Sequence, residues 1–106
     1  MAGSRVRVPA NAKRGEVIEI RAMALHPMEN GFRFDTQGTL IPVNIIHTFI
    51  CRYNGDEVFR ATLQPGISAN PYLSFTTVAQ DSGMFEFVWL DDEGGYETAW
   101  AKIDVS

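Results

Sequence analysis

The stretch from Gln80 to Val105, QDSGMFEFVWLDDEGGYETAWAKIDV, alternates as a pair of strands does. A polar turn opens it, and Phe85, Phe87 and Trp89 follow at every second position. An acidic turn, Asp91-Asp92-Glu93-Gly94-Gly95, reverses the chain, and Ala99, Ala101, Ile103 and Val105 repeat the spacing on the return. Side chains two apart in a strand share a face, so both rows are predicted to point into a core. The intervening residues then face outward: Met84, Glu86, Val88 and Leu90 on the first strand, Tyr96, Thr98, Trp100 and Lys102 on the second.

The rest of the chain carries the same period. Arg5-Val6-Arg7-Val8-Pro9 suits an edge strand ended by proline, and Glu16 to Leu25 alternates Ile18, Ile20, Ala22 and Ala24 with Glu19 and Arg21. His26-Pro27 ends that strand, because the proline restricts its predecessor and donates no backbone N–H. Ile45 to Tyr53 reads as a third strand, with Phe49, Cys51 and Tyr53 inward and Thr48, Ile50 and Arg52 outward. Asn54-Gly55-Asp56 is a tight-turn signal, and Glu57 to Leu63 a strand with Phe59, Ala61 and Leu63 on one face. A loop, Gln64 to Pro71, leads to Tyr72–Ala79, where Leu73, Phe75 and Thr77 alternate. Between Pro27 and Asn44 no period holds. That stretch is too long for an idle connection, and Phe32-Arg33-Phe34 and Thr39-Leu40-Ile41 around Asp35–Gly38 predict a small hairpin.

About seven short strands with regular turn signals and no helical period predict an all-β, immunoglobulin-like antiparallel β-sandwich, one domain over residues 1–106. In that lettering Glu57–Leu63 falls fourth, as strand D. Asp81-x-Gly83-x-Phe85-x-Phe87 is similar to the opening of strand F in such sandwiches, with Phe85 where a tyrosine is usual and Phe87 where antibody domains have a cysteine. The tyrosine's hydrogen bond and the disulfide are therefore expected to be missing.

Chemistry is sparse. His26, His47 and Cys51 have no close metal-ligand spacing, and the acidic turn lacks the alternating oxygen ligands of a calcium loop. Its glycines and aspartates fit turn chemistry. No nucleophile has a base at a motif spacing, and no glycine loop would cradle a phosphate. No metal or other cofactor is expected, and Cys51, in an apolar run, reads as a small buried hydrophobe. The chain has 9 basic against 13 acidic residues, which argues against nucleic acid or an anionic membrane as partner. No run has the length of a membrane span or a secretory h-region.

The outward face of the sheet is more informative. Ile50, Val88, Leu90, Tyr96 and Trp100 are too apolar for a solvated sheet surface, and with Arg52 and Thr98 at the fringe they have the anatomy of an interface. Two readings stand: a partner covers this face, or the 27–44 loop folds over it within the same chain.

In the order and spacing of its motifs the chain resembles the Z subunit of the sulfur-oxidation YZ carrier complex, the SoxZ family. The resemblance is carried by Arg5–Pro9, Lys13-Arg14-Gly15-Glu16, His26-Pro27-Met28-Glu29-Asn30-Gly31 and Ile41-Pro42 with Ile45-Ile46. Ile67–Tyr72, Trp89 with Asp91–Gly94, and Lys102–Val105 complete it. It implies an immunoglobulin-like, non-catalytic subunit that pairs with a Y subunit, which carries sulfur covalently on a cysteine in a flexible arm. Cys51 is then not the sulfur acceptor. The resemblance also implies work in the periplasm, export together with the Y subunit, and transient contact with other sulfur-oxidation enzymes. The partner interface is expected at Ile50, Arg52, Val88, Leu90, Tyr96, Thr98 and Trp100. The alternatives are a homodimeric interaction domain using the same face, and a small sandwich enzyme with a site in the 27–44 loop near His26.

Overall fold

Alternating burial runs through nearly every strand of the computed structural model, which describes residues 3–64, 66, 67 and 69–106. Pro65 and Ser68, in the Gln64–Pro71 loop, lie outside the described residues. The strands are β1 (Ser4–Arg7), β2 (Asn11–Ala12), β3 (Val17–Ala24), β4 (Ile46–Tyr53), β5 (Asp56–Thr62), β6 (Tyr72–Val78), β7 (Gly83–Asp91) and β8 (Tyr96–Val105). They form a three-stranded sheet, β1-β3-β6, packed against a five-stranded sheet, β2-β8-β7-β4-β5. Every pairing is antiparallel except the short parallel contact of β2 with β8. The fold is the expected all-β, immunoglobulin-like sandwich.

Two details differ from the sequence-based expectation. The strand expected as D pairs with β4 and extends the sheet that holds β7 and β8. The turn is the reason: Asn54 and Gly55 both take positive φ, 50° and 88°. That two-residue geometry closes a hairpin and holds the flanking strands side by side. The second difference is an eighth strand, β2, which the proline at position 9 allows by breaking the run after β1 and releasing the chain to the other sheet.

The core is aromatic. Phe49 of β4 lies at its centre, with ring centroids 4.4 Å from Trp89, 6.1 Å from both Phe59 and Phe75, and 6.2 Å from Phe87. Phe59 and Phe75 stack across the two sheets at 4.2 Å, so the bodies of the sheets meet ring on ring. The inward rows of β7 and β8 point as the alternation requires, with Phe85, Phe87, Trp89 and Ile103 fully buried.

The corner before β7 is held differently from the expectation. Phe85 supplies no hydroxyl, but Tyr53 of the neighbouring strand stacks on it at 4.3 Å. The Tyr53 hydroxyl donates to the Asp81 carbonyl and accepts the Gln80 and Asp81 N–H groups, each at 3.2 Å. The hydrogen bond expected to be missing is thus present, moved from β7 to β4. Gly83 is required beside it: a Cβ there would lie 1.7 Å from Asn54 Oδ1, which accepts the Met84 N–H at 3.0 Å.

The 27–44 segment forms the predicted hairpin. Phe34 bridges Leu40, Glu29 bridges Asn44, and Ile41 N–H donates to the Arg33 carbonyl at 2.8 Å. Asp35 Oδ1 accepts the Gln37 and Thr39 N–H groups at 2.9 Å and closes the tip. The molecule is long and narrow, 58 × 18 × 18 Å.

Candidate partner-binding face

The outer face of the five-stranded sheet is built from register. Across β4, β7 and β8, Thr48, Leu90 and Tyr96 form one cross-strand row, and Ile50, Val88 and Thr98 the next. Arg52, Glu86 and Trp100 form the third. The candidate residues Ile50, Arg52, Val88, Leu90, Tyr96, Thr98 and Trp100 therefore make a contiguous surface. Tyr96 is 68% and Trp100 57% exposed, so no described residue covers them. The reading in which the 27–44 loop folds over this face fails at its anchor, and the loop's own Phe32 is 81% exposed. Val88, Leu90 and Arg52 are half-buried, and Thr98 is exposed.

Ile50 differs from its row. It is only 6% exposed within the chain, flanked in register by Arg60 and Val88, so it supports the face from below more than it adds area. The polar edge of the patch is fixed by Arg52 Nη1, which donates to Glu86 Oε1 at 3.1 Å. Both side chains are part-buried, and the pair joins β4 to β7 in the row that Trp100 completes.

Cys51 lies on the inward side of β4, fully buried. Burial pushes its thiol up to about 12, so it is neutral and unreactive at ordinary pH.

A second polar cluster sits at the end of the sandwich, where sequence order could not place it. His26 is buried; its Nδ1 accepts the Met28 N–H at 2.9 Å, and Nε2 faces Asp91 Oδ2 at 3.4 Å. A ring whose Nδ1 accepts an N–H carries its proton on Nε2. Asp91 Oδ1 accepts the Glu93 and Gly95 N–H groups at 3.1 and 2.6 Å, and Asp92 Oδ2 accepts the Ile45 N–H at 3.2 Å. The acidic turn therefore works as turn chemistry, tying β7 to the hairpin's exit. Among the described residues no group of three or more His, Cys, Asp and Glu side chains is placed to hold a metal ion. Nor does any described helix have the length and apolarity to cross a membrane.

With this geometry in view, relatives can be compared. No curated protein matches the chain in sequence. Among solved structures, superoxide reductase (neelaredoxin) from Ignicoccus hospitalis is similar with a TM-score of 0.76 at 19% identity, over 98% of this chain and 80% of that one. The sulfur carrier protein SoxY from Chlorobium limicola is similar with a TM-score of 0.69 at 11% identity, over 100% and 81%. A CARDB domain from Pyrococcus furiosus is similar with a TM-score of 0.57 at 13% identity, over 97% and 92%. At these identities the likeness shows the shared sandwich fold. The family is shown by sequence: the family model described as sulphur oxidation protein SoxZ matches residues 6–102. Nearly the whole sandwich lies within that match, and the chain belongs to the SoxZ family of sulphur oxidation proteins.

Proposed function

We propose that this chain is the non-catalytic Z partner of a sulfur-carrier heterodimer, and that a Y-type subunit seats on the outer β4-β7-β8 face. The observation that carries the reading is the exposed pair Tyr96 and Trp100 beside Val88 and Leu90, an aromatic and aliphatic stripe in register across the outward face of one sheet. Trp100 closes the stripe at its Arg52–Glu86 border, and a large exposed indole is the kind of side chain that anchors protein interfaces. Covering the exposed part of Trp100 removes about 100–140 Å² from water and contributes roughly 2.5–3.5 kcal/mol. Val88 and Leu90 add smaller amounts.

The SoxZ family supports the assignment to sulfur oxidation, and the SoxY structure supports the idea that the two subunits share one architecture. In this reading the fully buried, neutral Cys51 carries no sulfur, and the reactive cysteine belongs to the partner. The chain supplies a rigid surface, and the 27–44 hairpin stands at its edge, where the enzymes that process bound sulfur would meet the complex. The periplasm, reached by export together with the Y subunit, is the compartment this role requires.

The test is co-expression with a Y-type subunit followed by size exclusion. Val88→Arg, which sets an unpaired charge into the stripe, and Trp100→Ala are both expected to release the partner. A heterodimer unchanged in both variants removes this face from the proposal. Sedimentation of the chain alone separates the heterodimer from self-association through the same surface.

A further inference from the structure

The open edge of β8 is as informative as its face. In a β-strand the N–H and C=O of one residue point to the same side, and successive residues alternate. Asp104 N–H donates to the Ala10 carbonyl at 2.9 Å and Ser106 N–H to the Ala12 carbonyl at 3.1 Å, both on the β2 side. On the other side, Val105 N–H donates to Ser82 Oγ at 2.7 Å and Gly95 C=O accepts the Asp91 N–H at 3.0 Å. Odd-numbered residues of β8 therefore bond β7, and even-numbered residues point to the sheet's edge. β2 meets only Asp104 and Val105. Beyond it, Tyr96, Thr98, Trp100 and Lys102 direct their backbone donors and acceptors where, among the described residues, nothing receives them.

Natural sheets protect such edges with prolines, bulges or short strands. β8 has none of these, and its protection is limited to charge, Lys102 outward and Glu97 on the inward row: it is the longest described strand at 10 residues, contains no proline, and pairs with β7 without a register shift. The other edges are less suited. β1 has 4 residues, and β5 carries a register shift against Cys51 and Arg52 with Glu57 and Arg60 exposed. β6 presents Ser74 and Thr76 at the middle of its outward row, with its exposed aromatic, Tyr72, only at the end.

We infer that β8 is a strand-addition site: an extended segment of the Y-type partner pairs with the main chain of Tyr96–Lys102 and continues the five-stranded sheet across the subunit boundary. This rests on the proposed heterodimer and names the part of the partner that binds. The four residues with free backbone groups are the same four whose side chains face outward, so one incoming strand would satisfy the edge and cover Trp100. Charge sets the occupant. The turn into β8 brings the exposed Asp92 and Glu93 to its Tyr96 end and Glu97 lies on the strand, while Lys102 sits 3.7 Å from Asp104 near the other end. A second copy would offer one basic side chain along this strand, Lys102, which Asp104 already meets, whereas a strand with basic residues opposite Asp92, Glu93 and Glu97 is complementary.

Residue-resolved amide exchange tests it. In the isolated chain, N–H groups of Tyr96, Thr98, Trp100 and Lys102 should exchange at least about 100-fold faster than those of Glu97, Ala99 and Ala101. Addition of a Y-type subunit should slow the four by at least 10-fold. Thr98→Pro removes a free donor without touching the β7 ladder and should weaken pairing at least 10-fold, with native circular dichroism as the control. A heterodimer that forms while the four amides stay fast overturns strand addition, and leaves the face reading to stand or fall with Val88→Arg. Slow amides in a dimeric isolated chain would make a second copy the occupant and overturn the assignment. Failure of the wild-type chain to bind any Y-type subunit overturns the heterodimer and this inference with it. If Thr98→Pro does not fold, the wild-type exchange data decide alone.

Discussion

Tyr53→Phe removes one oxygen atom and should unlatch the corner before β7. The hydroxyl donates to the Asp81 carbonyl and accepts the Gln80 and Asp81 N–H groups at 3.2 Å, so three main-chain groups lose a partner. At about 0.5–1.5 kcal/mol for each net hydrogen bond, the ceiling is about 4.5 kcal/mol. Gln80 and Asp81 are exposed, so water can replace part of what their amides lose. The two acceptor contacts at 3.2 Å are also at the long end of the range for good geometry. The expected loss is therefore about 1.5–2 kcal/mol. The phenyl ring keeps its stacking on Phe85, so no cavity term enters. Against a typical stability of about 5–15 kcal/mol this is easily measured. Urea denaturation followed by the buried Trp89 should show a lower midpoint with an unchanged slope. A shift below about 0.5 kcal/mol would refute the reasoning and leave stacking as the only function of Tyr53.

Other perturbations follow from the same geometry. Cys51 keeps its proton up to about 12 in the native state but loses it near 8.5 when unfolded, so the native state binds more protons between those values. Stability should therefore fall as pH rises through that window, by up to about 1.4 kcal/mol per pH unit, and Cys51→Ala should lack this component of the slope. Thiol reagents at pH about 8 should label Cys51 only on unfolding. Gly83→Ala forces Asn54 off the Met84 N–H and should cost about 1.5–3 kcal/mol by thermal denaturation. Asp91→Ala leaves the Glu93 and Gly95 N–H groups without their acceptor and should destabilise by about 2 kcal/mol, with faster exchange of both amides.

Much of this protein is legible in its sequence because period-two alternation is a local property. The inward set Phe85, Phe87 and Trp89, the outward set Val88, Leu90, Tyr96 and Trp100, and the Asp35–Gly38 hairpin tip each depend on residues a few positions apart. Local sterics and side-chain direction decide them. The bare outer face followed from the same parity, as a surplus of apolar side chains on the wrong side of a sheet.

What the tertiary structure decided were encounters between distant residues. β5 joined the β4 side because the Asn54-Gly55 turn holds the two strands together, although its face pattern alone would suit either sheet. Tyr53 took over the corner hydroxyl because β4 lies beside β7, and His26 met Asp91 only where the ends of β3 and β7 converge. Ile50 is an outward residue by parity and a buried one in fact, because Arg60 and Val88 flank it across two strand boundaries. The free edge of β8 depends on how far β2 extends. A sequence pattern reports which way a side chain points; which neighbour receives it, and which main-chain groups stay unmet, depends on strand order and register, which only the folded chain sets.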